Sequence, residues 1–496
     1  MAKFNKPTAG STKTVNHEGG EAYSFSDPRD ELLQLVASCL MNEPKFYGKT
    51  GDIEQRITHL CSEIAGSDPK FILQLAAYSR NELYLRSVST YLLAKAAQMV
   101  ATKPYVRGYA PNIIKRADEI NEVLAAYLNS FGKPLPNSLK KGVADSFGNF
   151  DEYQFAKYNR AAQVTFRDAI MLTHPKKNGE LLKKILDKAL AVPYTWEVEL
   201  SAKGNKPEVW HDLIDSKKLP YMAMLRNLRN MLKAPIDDAH RKKVCEYLAN
   251  EKAVKNSRQL PFRFYSAFLI LSNEGTKGIQ DVLDALEDAA DIAFGNIQKM
   301  PGTTMLAIDT SGSMGSRLSD RSVLCHMDIG LLLGAAAQKF TDDGILSIFG
   351  ANMEVINVSR RGGIISNAMH LRELQGRVGH ATNAYLTIDW LIKNKRAVDR
   401  VLIFTDCQLW DTTFSGWGMG YPGTGENTIR KSWHKYKKDV APNAKIYVIN
   451  LNGYGTTAFP DGDTSAVNIS GWSEKIFKFI ETIEKGSQKN YIKEHY

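Results

Sequence analysis

Cysteine is scarce and scattered. Cys39, Cys61, Cys245, Cys325 and Cys407 never form a Cys-x-x-Cys pair, which argues against a zinc ribbon or a disulfide-stapled scaffold and points to a reducing compartment. Long apolar runs are missing as well. The longest stretch of apolar or glycine residues, Ile329–Ala337, is half of the roughly 18 residues that a membrane-spanning helix needs. The first 25 residues are rich in Gly, Thr and Lys and hold no apolar segment, so no secretory leader is expected there. These absences lead to the expectation of a cytoplasmic, monomeric protein that avoids membranes. With 43% apolar and 24% charged residues, the 496-residue chain is globular rather than disordered, and its length implies several compact units.

Acidic residues are the minority, 54 against 64 Lys and Arg, and the imbalance is local. Residues 157–258 hold 21 Lys and Arg against 12 Asp and Glu, which accounts for nearly all of the net charge of +10. Such a segment is either a solvated face or the electrostatic footprint of a polyanion site, nucleic acid above all.

Two periodicities divide the chain. From Pro28 to about Gln298 apolar residues recur at helical spacing, as in Leu32-Leu33-Val36-Leu40, Ile72-Leu75-Ala76-Ser79 and Ile185-Leu186-Ala189-Leu190. Gly132-Lys133-Pro134 and Thr173-His174-Pro175 punctuate these helices. Many short amphipathic helices in series suggest stacked pairs, although no fixed repeat length emerges. After Met300 the pattern becomes short apolar runs, Met305–Ile308, Ile345–Phe349, Val401–Phe404 and Ile446–Leu451, joined by helical stretches such as Asp328–Phe340. That alternation predicts a parallel sheet covered on both faces.

The first predicted strand runs into Asp309-Thr310-Ser311-Gly312-Ser313. A later one delivers Asp406, and the loop Gly379-His380-Ala381-Thr382-Asn383 precedes the helix between them. Asp309, Ser311, Ser313, Thr382 and Asp406 are all hard oxygen donors at the ligand-binding edge of such a sheet, a set that suits Mg²⁺, with Ca²⁺ or Mn²⁺ as alternatives. The bland reading is that Asp309 and Ser311 merely cap the next helix. The Asp-x-Ser-x-Ser loop, the later threonine and the later aspartate resemble the von Willebrand factor A domain with its metal-ion-dependent adhesion site (MIDAS). That resemblance implies a Rossmann-like fold and an ion with an open position for an acidic group of a partner.

Leu219-Pro220-Tyr221-Met222-Ala223-Met224-Leu225-Arg226-Asn227-Leu228 resembles the signature of TROVE modules, and TROVE followed by an A domain is the layout of the Ro autoantigen family. Lys157-Tyr158 and Phe166–Pro175 are similar to that family's RNA-contacting segment. The resemblance covers residues 28–480. It implies an all-α HEAT-like helical-repeat ring closed by the A domain, binding small noncoding Y-like RNA on its surface and single-stranded 3′ ends in its hole. A ribonuclease or another RNA-processing protein is an implied partner, and RNA quality control the implied task. Lys157 and His174 fall on the family's contact positions, whereas the family's arginine falls on Ala161, next to Arg160. Arg160, Arg167, Lys176 and Lys177 complete the candidate RNA ligands. One continuous helix over 157–174 would align Arg160, Arg167 and His174, but Thr165-x-x-Asp168 reads as a capping box at which the helix restarts.

Two motifs fail on context. Gly418-Met419-Gly420-Tyr421-Pro422-Gly423 lies too far beyond its strand to cradle phosphate, and Gly48-Lys49-Thr50 lacks the first glycine of a P-loop. No Gly-x-Ser-x-Gly elbow accompanies the sheet, so capture rather than catalysis is expected. The expected organisation is a disordered tail at 1–25, a helical TROVE domain at 26–300, an A domain at 301–485 and a tail at 486–496. The rival function is a scaffold that docks an acidic protein through the metal, with RNA incidental.

Overall fold

The computed structural model describes residues 12–15, 21–25, 27–38 and 52–484, together with 492, 495 and 496; within 52–484 it leaves out 193, 275–278, 296, 298, 320–321, 410–411, 414–420, 423–427, 453–455, 461–462, 464 and 472–474. Leu40, Gly48-Lys49-Thr50 and most of the Gly418–Gly423 motif therefore lie outside the described residues. The chain forms two compact units, Asp27–Val198 with Ser487–Tyr496, and Glu199–Gly486 with Met1–Ser26.

The first unit is helical. Phe71–Asn81 packs on Ser87–Gln98 and on Lys103–Ile113, Ser87–Gln98 packs on Ala117–Phe131, and Lys103–Ile113 packs on Asn137–Ser146. Each helix thus meets its next neighbour but one, the stacking of helical repeats. Ser87–Gln98 is buried from Val88 to Ala97, as befits a helix covered on all sides. Three short helices follow, Glu152–Tyr158, Phe166–Thr173 and Gly179–Leu186. Phe155 and Phe166 join the first two edge to face at 5.0 Å, and both helices pack against Ala117–Phe131. The last residue is not a loose tail: Tyr496 donates through Oη to Glu82 at 2.7 Å, and its ring meets that of Tyr78.

The second unit combines helices with a six-stranded sheet. A hairpin of β1 (Lys13–Val15) and β2 (Glu21–Tyr23) stands where a disordered segment was expected, and Tyr23 exchanges backbone hydrogen bonds with Thr457. Its partner lies more than 400 residues away, so no local composition could signal it. The sheet comprises β3 (Met300–Asp309), β4 (Thr341–Phe349), β5 (Met353–Val355), β6 (Arg400–Thr405), β7 (Lys445–Asn450) and β8 (Ala466–Ser470), in the order β8-β7-β6-β3-β4-β5. All pairs are parallel except β4 with β5. Met305, Leu306, Ala307 and Ile308 on the central strand are fully buried, in keeping with a sheet covered on both faces. Helix His326–Phe340 crosses over β3 so closely that a Cβ on Gly334 would collide with Ile308.

The change of pattern at Met300 marks the first strand of this sheet but not the edge of a compact unit. Helix Gln280–Phe294 packs on helix Ile364–Glu373, and its acids cap that helix. Glu287 accepts from the backbone N–H groups of Ile365 (2.7 Å) and Ser366 (2.9 Å), and Asp291 accepts from Ile364 (3.1 Å). These carboxylates satisfy orphan helix donors and so join residues 199–294 to the sheet.

Candidate functional site

Two candidate sites emerge, one in each unit. At the carboxyl edge of the sheet the chain leaves β3 for β4 on one side and returns later as β6 on the other, which opens a crevice between β3 and β6. Asp309 is the last residue of β3, and Asp406 follows directly on β6; both are fully buried, as is Ser311. Asp309 accepts from the Ser311 backbone N–H at 2.9 Å and from the Thr405 hydroxyl at 2.6 Å. The Ser311 and Ser313 hydroxyls lie 3.2 Å apart, and Asp406 accepts from the Gln408 N–H at 3.2 Å.

The loop carrying Thr382 is held against the first loop. Gly312 donates its N–H to the His380 carbonyl at 3.0 Å, and Asn383 donates to that of Gly350 at 3.0 Å. A Cβ on Gly350 would clash with the Gly379 carbonyl, and Gly379 itself turns with φ of +73°, a conformation that glycine adopts without strain. Thr382 is consequently only 8% exposed, while Ser313 is half-buried.

Helix capping does not explain these residues. The short turn Ser313–Gly315 has no side-chain cap, and helix His326–Phe340 begins with its own box of Cys325 and Asp328. Burial, followed by the charge of Asp406, pushes the Asp309 carboxyl well above the usual range, and the same two carboxylates with burial push the Cys407 thiol up. Two opposed, desolvated carboxylates ringed by hydroxyl oxygens form a donor set that a hard divalent cation fits, because its charge would offset both penalties.

The second site lies in the helical unit. Asp151 and Gln154 open helix Glu152–Tyr158, and Lys157 sits half-buried in its last turn, 5.6 Å from the Tyr158 ring centroid. The helix then ends. Thr165 accepts from the Asp168 N–H at 3.2 Å while Asp168 accepts from the Thr165 N–H at 2.9 Å, so Phe166–Thr173 is a separate helix and a continuous stripe through Arg160, Arg167 and His174 is not formed. Arg167 is exposed in the first turn of that helix, and His174 closes it in a left-handed conformation at φ of +50°. Lys176 and Lys177 follow, both exposed, with the Lys177 stem lying against Gly148.

Charge pairing is sparse on this surface. Arg167, His174, Lys176 and Lys177 make no ion pair among the described residues, and Arg160 reaches Asp118 only at 4.0 Å with 73% of its side chain exposed. In 199–258 about half of the cations are neutralised: Lys243 pairs with Asp215, Lys255 with Glu251, Lys203 with Glu199, Arg241 with Asp238 and Asp281, and Arg229 and Lys233 with Glu274, while Lys206, Lys217, Arg226, Lys252 and Arg258 make no ion pair among the described residues. Cations without an ion pair continue beyond 177, at Lys183 and Lys188 among others, but they are most closely spaced at 157–177.

Beneath them lies a network that the sequence did not reveal. Glu119, with no exposed side-chain surface, accepts from Arg80 at 2.8 Å, from Arg86 at 3.2 Å and from the Lys115 N–H at 2.7 Å. Arg86 also reaches Asp118 and Glu122, and the Arg116 guanidinium stacks 4.4 Å from the Tyr158 ring centroid. This buried lattice seats Tyr158 and with it the end of the helix that carries Lys157. Tyr153 (50% exposed) and Met171 (62%) add apolar surface among the cations, and nothing but structure distinguishes them from core residues of the same helices.

Comparison with known proteins bears on both sites. Residues 22–191 and 188–281 match the TROVE domain, and residues 303–483 match the Ro60 vWA domain. The chain is 28% identical over 345 residues to telomerase protein component 1 of Rattus norvegicus, covering 50% of this chain and 13% of that protein. It is 26% identical over 216 residues to RNA-binding protein RO60 of Deinococcus radiodurans, covering 41% of this chain and 40% of that one. The chain thus spans less than half the length of these curated relatives. The crystal structure of the Deinococcus radiodurans RO (RSR) protein shares the fold, with a TM-score of 0.60 at 18% identity over 88% of this chain and 94% of that one. The TROVE match runs across the division between the two compact units at Val198.

Proposed function

The chain belongs to the TROVE domain family and carries a Ro60 vWA domain, and from that premise we propose that it captures RNA on the surface formed by residues 157–177. The observation that carries this reading is the set of unneutralised cations at exposed helix ends, where phosphate oxygens can replace water without breaking an internal ion pair. Lys157, seated on Tyr158, is the positioned cation. Arg160, Arg167, His174, Lys176 and Lys177 are the exposed ones. Tyr153 and Met171 offer apolar faces on which an unpaired base can stack.

The finer reading carries over from the family. Small Y-like RNAs with a stem, and misfolded RNAs with single-stranded 3′ ends, are the proposed cargo, held by a cytoplasmic monomer in a ring-shaped ribonucleoprotein that a ribonuclease or other RNA-processing protein joins. The protein is proposed to bind and not to turn over. Asp309, Ser311, Ser313, Thr382 and Asp406 would hold one divalent cation, Mg²⁺ first. When bound, that ion supplies an electrophilic position open to a partner's carboxylate. The protein's own part is to hold these residues at the sheet edge, with Asp309, Ser311 and Asp406 fully buried.

Purification from native cells at low salt, followed by sequencing of the co-purified nucleic acid, tests the proposal. Discrete small RNAs with a shared stem, lost on combined Lys157→Ala and His174→Ala substitution, support it. Absence of RNA, with an acidic protein retained only when divalent ions are present, would overturn it in favour of the docking scaffold.

A further inference from the structure

His211 and His240 come from different helices and lie face to face. His211 belongs to helix Pro207–Asp215 and His240 to the first turn of helix Asp238–Leu248; their rings are 3.8 Å apart between centroids and 11° from parallel. Two imidazoles stacked in this way gain little by themselves, and their nitrogens converge on one carboxylate. Asp237 places Oδ1 at 2.8 Å from Nδ1 of His240 and Oδ2 at 3.6 Å from Nε2 of His211. One donor atom from each of the three residues lies within 4.8 Å of the other two.

We propose that His211, Asp237 and His240 form a transition-metal site, best suited to Zn²⁺, separate from the oxygen-only edge of the sheet. The donor chemistry selects the metal class: two imidazole nitrogens with one carboxylate suit Zn²⁺ and its neighbours, whereas Mg²⁺ and Ca²⁺ take oxygens. Spacing agrees with this. Bonds of about 2.0–2.2 Å in a tetrahedral site put donors roughly 3.3–3.5 Å apart, between the two carboxylate-to-imidazole separations already present, and the stacked rings would swing apart on binding so that both lone pairs meet one ion.

The surroundings prepare the ligands. Oδ1 of Asp237 accepts from the His240 backbone N–H at 2.8 Å as a helix cap, which fixes the carboxylate and leaves Oδ2 directed to His211. Asp215 stands on the far side of His240, with Oδ2 at 3.3 Å from Nε2, and Lys243 anchors it at 2.6 Å. The 2.8 Å contact between Nδ1 and Asp237 Oδ1 is a hydrogen bond that Nδ1–H donates; a metal would displace that proton, and Nε2–H donated to Asp215 would then be the carboxylate support that metal-binding histidines receive. Side-chain exposures of 27% for His211 and 14% for His240 leave a path for the ion and for a water in the fourth position. Binding would clamp helix Pro207–Asp215 to the start of helix Asp238–Leu248.

The test uses the untagged full chain, stripped by a chelator and held in excess Mg²⁺ so that the sheet edge is saturated. Titration with Zn²⁺, and with Co²⁺ followed by its visible absorption, should give about one equivalent per chain, tetrahedral Co²⁺ bands and a higher melting temperature. Combined His211→Gln and His240→Gln should abolish all three while circular dichroism stays that of the wild type. Asp215→Asn should weaken Zn²⁺ binding by about 10–100-fold without touching the metal. No zinc uptake by the wild type, or uptake unchanged in the double variant, overturns the proposal; an Asp215→Asn affinity equal to that of the wild type overturns the assigned tautomer.

Discussion

The sheet edge and the basic helix ends hold their side chains in opposite ways. At the edge, Asp309, Ser311 and Asp406 are fully buried, and strand ends and interlocked loops fix their positions. On the helical surface, Arg160, Arg167, His174, Lys176 and Lys177 are exposed, and what is rigid lies one layer below them in the Arg80, Arg86, Asp118 and Glu119 lattice. A hard cation needs converged oxygens at fixed distances, so its site must be built into the core. A polyanion needs only an unneutralised field that tracks its backbone, so flexible cations on a firm base suffice. The two sites should therefore fail in different ways.

The largest contrast is expected from Asp309→Ala. Losing one of two carboxylates should remove Mg²⁺ binding measured by calorimetry and leave RNA affinity unchanged, whereas combined Lys157→Ala and His174→Ala should do the reverse. A variant that lost both together would break the separation.

Next is the foundation of the basic surface. Glu119→Ala strands Arg80 in a buried setting and takes from Arg86 one of its three carboxylates, and should cost about 3–5 kcal/mol in urea denaturation, against roughly 0.5 kcal/mol or less for the exposed Arg167→Ala.

A pH test probes the same layer. Burial is the main reason that Glu122 is pushed up to about 7, and it outweighs the opposing pull of Arg86. A carboxyl with its folded pKa raised above the ordinary glutamate value of 4.5 favours the folded state most below that value, and this contribution is lost as pH rises through about 7. The helical unit of the wild type should thus lose stability between pH 5 and 8 relative to Glu122→Gln, by about 1–3 kcal/mol in paired melts. Parallel curves for the two proteins would refute the buried acid.

How much of this was legible in the chain follows from locality. The ligand-like loop at 309–313 could be read because a strand end and its next few residues are contiguous, and Asp406 and Thr382 occupy equivalent strand-end and loop positions. The four predicted strands all lie within or overlap observed ones, and the crossover helix, expected at Asp328–Phe340, runs from His326. The capping box at Thr165 gave the helix break, again a matter of four residues. What stayed hidden is non-local. Tyr23 pairs with Thr457, Tyr496 docks on Tyr78 and Glu82, and Glu287 caps a helix 78 residues away. The change expected at 300 falls between the TROVE and Ro60 vWA matches, whereas the compact unit begins at Glu199, because periodicity reports the kind of element and not which elements share a core. The charge count over 157–258 treats every cation alike and could not tell those paired within the fold from those that are not.

The smallest expected effects belong to single exposed cations. Arg167→Ala or Lys176→Ala should each reduce the slope of log affinity against log salt by about 0.7–1 while lowering affinity similarly for RNAs of different sequence. A sequence-selective loss would mean that the side chain reads bases.

The most direct test of the account is a salt titration of binding to a small stem-containing RNA with a free 3′ end, comparing wild type, Asp309→Ala and combined Lys157→Ala and His174→Ala. The account predicts a steep linear fall in log affinity with log salt, the same for wild type and Asp309→Ala, and a shallower, weaker line for the double variant. Salt-insensitive binding, or a loss confined to Asp309→Ala, would contradict it.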